Sequence, residues 1–192
     1  FSPDGGSLLL AAGDWGARLL DIETLTLRVP VLTHEQPVKH VAFSRDGSMM
    51  LTISASGLVS VWNVRSGEQL AEPIHHQDEV MSAEFSPDNR RLLILLSRGE
   101  AQVRELRLHG ARSRRFFHGD LVTSVQFVAE GKQVFTTSRD GTAQVWERDT
   151  GRAVFPSLKH AGGVIRAAVS HDGQWLATVG ADHAARIWNA QT

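Results

Sequence analysis

One period, 42 residues long, governs what this chain can fold into. The chain opens at 1–5 on Phe-Ser-Pro-Asp-Gly. That turn returns at 43–47 as Phe-Ser-Arg-Asp-Gly, at 85–89 as Phe-Ser-Pro-Asp-Asn, at 127–131 as Phe-Val-Ala-Glu-Gly and at 169–173 as Val-Ser-His-Asp-Gly. Successive starts lie 42 residues apart and no insertion breaks the register. A repeat of this length is one supersecondary unit that buries its apolar face against its neighbours, so 192 residues read as one architecture built in series rather than as two unrelated domains.

Proline or a small residue, then Asp, then Gly is β-turn chemistry: a preset φ, a side-chain acceptor, and access to positive φ. Between the turns lie short apolar and β-branched runs, such as 38–43 and 49–53, then 58–64, and a weaker run at 69–74. Four strands per unit, joined by Asp/Gly/Ser turns, predict an antiparallel meander. No stretch combines helical apolar spacing with caps at both ends, so no helix is expected.

A second set of residues keeps the same period. His118, Thr136, Asp140 and Trp146 reappear 42 residues on as His160, Thr178, Asp182 and Trp188, and 84 residues back as His34, Thr52 and Trp62, with Ser56 in the Asp slot. The first unit keeps Asp14 but has Leu10 and Leu20 in the Thr and Trp slots. The third keeps His76 but carries Ile94, Arg98 and Arg104. Four strands in about 42 residues with a histidine before them and a tryptophan near their end is the signature of propeller blades, and the whole chain resembles the WD-repeat β-propeller family. The tryptophan slot and its neighbour read Leu20-Asp21, Trp62-Asn63, Arg104-Glu105, Trp146-Glu147 and Trp188-Asn189, so no literal Trp-Asp pair is present. The resemblance implies an all-β fold of four-stranded antiparallel blades at approximately 1–34, 35–76, 77–118, 119–160 and 161–192, about five blades of a larger seven- or eight-bladed ring. Both ends fall mid-blade, and the chain is expected to be a piece of a longer protein.

The resemblance further implies that the recurring His, Thr, Asp and Trp form a hydrogen-bonded network. The physical need is plain, because an indole N–H, an imidazole and a carboxylate are costly to bury without partners. His118, Thr136 and Asp140 could be taken for a hydrolase triad, but a trio repeated at constant spacing reads as scaffold. The third unit, lacking the network, is expected to be held by packing of Leu92, Leu93, Leu95 and Leu96.

Charge excludes some partners. Lys and Arg number 20 against 21 Asp and Glu, a net charge of −1, which gives no general pull toward nucleic acid or anionic membrane. No run of 18 apolar residues is present, and the absence of cysteine rules out disulfides and thiolate zinc sites. Against this balance, residues 90–115 hold eight arginines (90, 91, 98, 104, 107, 112, 114 and 115) with only Glu100 and Glu105, a local +6 that leaves −7 elsewhere. Arg104, Arg107, Arg112, Arg114 and Arg115 form a basic patch. It reads either as water-facing strands protected from edge pairing or as a dock for an acidic partner or phosphates. Only Phe116 and Phe117 could stack on bases, which argues against single-stranded nucleic acid. The nine histidines offer no metal-ligand spacing, so neither a metal nor another cofactor is expected, and no small-molecule substrate is inferred.

Propellers of this family usually bind partners through the loops before the first strand and between the second and third. Carried over by the repeat, that face includes Lys39, His40, Glu79, Met81, Thr123, Arg139 and Arg166, positions that differ between units while the turns stay constant. The function implied is a non-catalytic protein–protein interaction scaffold with a protein or peptide partner and no membrane, expected in the cytoplasm. The alternative is a regulatory propeller of a larger bacterial enzyme, a Ser/Thr kinase or NTPase, whose catalytic domain lies outside these residues.

Overall fold

The structure, a computed structural model, describes residues 1–11, 14–106, 113–170 and 172–190. These residues form five antiparallel sheets in chain order. The first is β1 (Ser7–Ala11), β2 (Gly16–Asp21) and β3 (Leu32–Thr33), and the second is β4 (Val38–Phe43), β5 (Met49–Ser54) and β6 (Val59–Asn63). The third is β7 (Val80–Phe85), β8 (Arg91–Leu96), β9 (Glu100–Glu105) and β10 (Ser113–Phe117). The fourth is β11 (Val122–Val128), β12 (Gln133–Ser138), β13 (Thr142–Glu147) and β14 (Leu158–Lys159), and the fifth is β15 (Val164–Val169), β16 (Trp175–Gly180) and β17 (Ala185–Asn189). No α-helix occurs among the described residues, as the sequence leads one to expect.

The fourth strand expected in the second unit is corrected. Among the described residues the third and fourth sheets have four strands and the first, second and fifth have three. In the second, the run at 69–74 is reduced to two isolated bridges, Trp62 with Gln69 and Val59 with Ile74. Pro73 lies within that run and has no N–H to give a ladder.

The chain divides into two compact units, 1–92 with Leu106 and 93–105 with 113–190, and the boundary falls inside β8. In the first unit Leu9, Ala17, Leu19, Leu32, Val38, Met50 and Trp62 form one buried cluster. In the second, Leu93, Ala101, Val103, Phe116 and Val134 form one cluster, and Val128, Phe135, Ala143, Val145 and Leu176 form another. The side chains of Leu92, Leu93, Leu95 and Leu96 are all buried, so the unit without the polar network is indeed packed on leucine.

β5 and β12 are buried at five consecutive positions, because both faces of these central strands are covered. β16 instead alternates exposed and buried. Phe135, Thr137, Ala143 and Val145 are buried in the fourth sheet. Forty-two residues on, their counterparts Ala177, Val179, Ala185 and Ile187 are exposed, Ile187 to 74%. The fifth sheet therefore carries one bare apolar face.

The turns explain the first repeat signal. In four of them the serine hydroxyl donates to the aspartate two residues on: Ser2 to Asp4 at 2.5 Å, Ser44 to Asp46 at 2.7 Å, Ser86 to Asp88 at 2.5 Å and Ser170 to Asp172 at 2.5 Å. The serine oxygen also accepts the amide that opens the next strand, at 2.8 Å from Ser7 and 2.9 Å from Met49. Amide and hydroxyl donors from Ser48 and Ser44 hold the Asp46 carboxyl down to about 2. At 127–131 neither serine nor aspartate is present, and the turn does not repeat. It becomes a 3-10 turn, Ala129–Gly131, with three successive positive φ values of 49°, 53° and 81°.

Candidate functional site

The recurring polar residues do meet, and the direction of each hydrogen bond can be deduced. In the fourth sheet Trp146 on β13 donates its indole N–H to Thr136 Oγ1 on β12 at 2.7 Å. Thr136 Oγ1 lies 2.7 Å from His118 Nε2, and His118 Nδ1 lies 2.8 Å from Thr142 Oγ1. Thr142 gives its hydroxyl proton to Asp140 at 2.6 Å, so it must accept from His118. The imidazole is then protonated on Nδ1, and Thr136 donates to Nε2. The His118 and Asp140 side chains stand 3.5 Å apart, and the Thr142 hydroxyl links them.

Burial pushes the His118 imidazole below its ordinary value, against the pull of Asp140, which keeps it neutral. Burial works against the Asp140 carboxylate, but the Thr142 hydroxyl and amide and the Gly119 amide outweigh it and hold the carboxyl below its usual range.

The fifth sheet repeats the first half of the chain of bonds. Trp188 donates to Thr178 at 2.8 Å, and Thr178 meets His160 Nε2 at 2.8 Å. Here His160 Nδ1 reaches Asp182 directly at 3.0 Å, with Arg186 against both groups. His160, then the Ala161 amide and Arg186, lower the Asp182 carboxyl against its burial. In the second sheet Trp62 donates to Thr52 at 2.9 Å and Thr52 meets His34 Nε2 at 2.7 Å. With Ser56 in the aspartate slot, His34 Nδ1 ends on the Leu32 carbonyl at 2.9 Å. Burial lowers the His34 imidazole more than that carbonyl raises it. Thr52, Thr136 and Thr178 are at most 1% exposed. A buried hydroxyl at the middle of each chain cannot reach a substrate, so the arrangement is structural.

Three members of the arginine patch are described in the structure. Arg107 and Arg112 lie outside the described residues. Arg104 on β9 is half-buried, while Arg114 and Arg115 on β10 are exposed. Arg115 is paired with Glu100 at 3.1 Å, and Arg114 donates to the Asp149 carbonyl at 2.9 Å.

Of the proposed loop positions, Lys39, His40, Met81, Thr123 and Arg166 lie on the first strands, whereas Glu79 directly precedes β7 and Arg139 lies in the turn between β12 and β13. Three of the first strands carry one extra residue at their head, a bulge between Val38 and His40, between Val122 and Ser124, and between Val164 and Arg166. The extra residues are Lys39, Thr123 and Ile165, one per repeat. In the first unit Lys39, His40, Glu79 and Met81 are exposed, and Lys39 pairs with Glu79 at 2.8 Å. Such an exposed pair contributes about 0–1 kcal/mol. In the second unit Arg139 and Arg166 are exposed. Thr123 is not available for binding: it is half-buried and meets Thr137 Oγ1 at 2.8 Å and the Val164 carbonyl at 2.9 Å.

Trp15, absent from the sequence reading, is 61% exposed in the turn between β1 and β2. It occupies the slot that holds Gly57, Gly99 and Gly141 in later units, each at positive φ. A bulky residue in a glycine slot was the available signal.

The family described as WD domain, G-beta repeat (WD40) matches residues 26–63, 111–147 and 154–189. The long unmatched stretches, 1–25 and 64–110, hold most of the first and third units, those lacking the threonine and tryptophan of the network. The chain belongs to the WD40 repeat family. No curated protein matches it. Among solved structures it is similar to the Cps50 (Swd1) β-propeller domain of Myceliophteria thermophila, with a TM-score of 0.80 and 16% identity over 98% of this chain. The chain spans 64% of that neighbour's length. The fold is therefore a β-propeller, and WD40 propellers commonly serve as protein-interaction scaffolds without catalytic activity of their own.

Proposed function

We propose that this chain is a non-catalytic interaction scaffold whose partner is a protein or peptide held at the end of the sheets where the first strands begin. The observation that carries the reading is the repeated bulge. It places an extra residue at that end of each strand, and where that residue is exposed it is Lys39 in one repeat and Ile165 in another, while Thr123 is bonded to Thr137 and Val164. Constant frame with variable projecting residues is what a recognition surface requires. The polar networks supply rigidity, and nothing in them is placed to turn over a substrate.

The test is selection of binders from a displayed random-peptide library on the intact protein. Met81→Asp or Arg166→Glu should weaken selected binders about tenfold or more, as hot-spot substitutions do. Lys132→Ala and Arg152→Ala, exposed in other turns, should leave them unchanged. Binders insensitive to the first pair would overturn the reading.

A further inference from the structure

We infer that Trp15 and Glu35 form a receptor for a basic side chain, so that the partner engaged there is a segment bearing arginine or lysine. The inference rests on the reading that this end of the sheets binds a peptide, and it names the chemistry of one anchor.

The two residues belong to neighbouring repeats, and the backbone holds them together. The His34 amide donates to the Trp15 carbonyl at 2.8 Å, and the Val38 amide donates to the Asp14 carbonyl at 3.3 Å. The turn after β1 is thereby tied to the turn before β4, at the end of the sheets where the Lys39 bulge begins. Glu35 follows His34 directly.

The nearby charges are already engaged. Arg18 holds Asp14 through two hydrogen bonds, at 3.1 Å and 2.6 Å, and Lys39 reaches across to Glu79. Trp15 and Glu35 are both exposed and make no side-chain hydrogen bond, ion pair or ring contact with any described residue. An exposed indole normally covers its apolar face or pairs its N–H, and it attracts a cation to the ring. The Glu35 carboxylate, one residue on from the amide bonded to Trp15, offers a charge-assisted acceptor for the same cation.

The wider field has the same sign. Residues 1–92 carry seven basic and twelve acidic side chains, a net −5, so a basic segment is drawn to this unit and an acidic one repelled. The pair is also unique within the repeat. The slots of Trp15 and Glu35 hold Gly57 and Gln77 in the next unit, and Gly141 and Ala161 further on. A feature the fold needed would recur; this one does not.

The test follows the indole N–H resonance of Trp15 in the intact, nitrogen-15-labelled protein, assigned by its loss in Trp15→Phe. Acetyl-Gly-Arg-Gly-amide and acetyl-Gly-Lys-Gly-amide are titrated beside the citrulline, acetyl-lysine and glutamate counterparts. The two cationic probes should move the resonance saturably and the other three should not. Glu35→Gln should weaken the cationic probes about threefold, the scale of one exposed ion pair. Equal shifts from the neutral probes, no shift from any, or indifference to Glu35→Gln would each overturn the inference. Its failure is separable from failure of the broader reading. Library binders that depend on Met81 or Arg166 but carry no basic residue would leave the scaffold standing and remove this anchor.

Discussion

Trp146 and His118 share a single hydroxyl, that of Thr136, which accepts from the indole at 2.7 Å and donates to the imidazole at 2.7 Å. One side-chain oxygen thus satisfies two buried rings, and it is itself wholly buried. Its position on the central strand pair makes it the junction on which the sheet's polar core depends.

Thr136→Val keeps shape and removes the junction, leaving the Trp146 N–H and His118 Nε2 without a partner. The loss should be roughly 1–3 kcal/mol for the groups left unpaired. Trp146→Phe should fall in the same range, since it strips the donor and shrinks a ring that packs on Phe116 at a centroid distance of 5.8 Å. Arg104→Ala, at the tryptophan slot of the sheet without a network, should cost well under 1 kcal/mol, the usual scale of a surface change. Urea midpoints of the three variants decide the matter, and equal losses would contradict the account.

Acidification should weaken the fold in two stages. His34 and His118 are buried neutral, with folded values below the ordinary 6.5. The unfolded chain therefore binds more protons, and stability falls as pH drops below about 6.5. Asp46, Asp140 and Asp182 are held below 3.8, so their contribution is present above that value and is lost as pH falls beneath it. Denaturant midpoints from pH 7.5 to 5.5 should decline, and His118→Gln should flatten the decline. A midpoint that rises over this range would refute the assignment of neutral imidazoles.

The turn at Ala129–Gly131 carries strain that its counterparts avoid. Glu130 sits at φ 53°, a conformation that costs an ordinary residue about 1–2 kcal/mol. Glycine adopts it freely, at the expense of unfolded-state entropy. Glu130→Gly should raise stability by roughly 0.5–1 kcal/mol, the difference of those terms. A lower melting temperature in the variant would show that the side chain does more than the backbone suggests.

Residues 1–192 expressed by themselves should self-associate through the bare face of the fifth sheet. Ile187 is 74% exposed and Val179 is 44% exposed, on a face whose equivalents in the fourth sheet are buried. Contiguous apolar surface drives association. Ile187→Lys should reduce the average mass seen by sedimentation at high protein concentration. A wild-type protein that stays monomeric throughout would dispose of this expectation.

Much of this was written in the period of 42. A residue that returned at that spacing could be assigned a partner before any coordinates, which is why Thr52, Thr136 and Thr178 each meet the tryptophan and histidine expected of them. What the period could not carry is what differs between units. Thr142 stands where the fifth unit has Ala184, so its bridging role is invisible in the alignment. Arg186 enters only because its slot, Gln144 in the fourth unit, happens to face His160. The bulges escaped for the opposite reason: an extra residue present at the same place in several repeats leaves the spacing unchanged. The length of β10 depends on its pairing with β9, which no local pattern announces.

The residue added at the head of the first strand has a further consequence for how such a protein changes over time. Lys39 and Ile165 are exposed and have no residue opposite them on the neighbouring strand. A substitution there shifts no register and leaves the alternation of the strand intact. Mutations can therefore accumulate at these sites while the fold is held by selection elsewhere, and new specificity can be acquired without passing through an unstable intermediate. For an engineer, the same two positions are where diversity can be introduced into a library with the least loss of folded members.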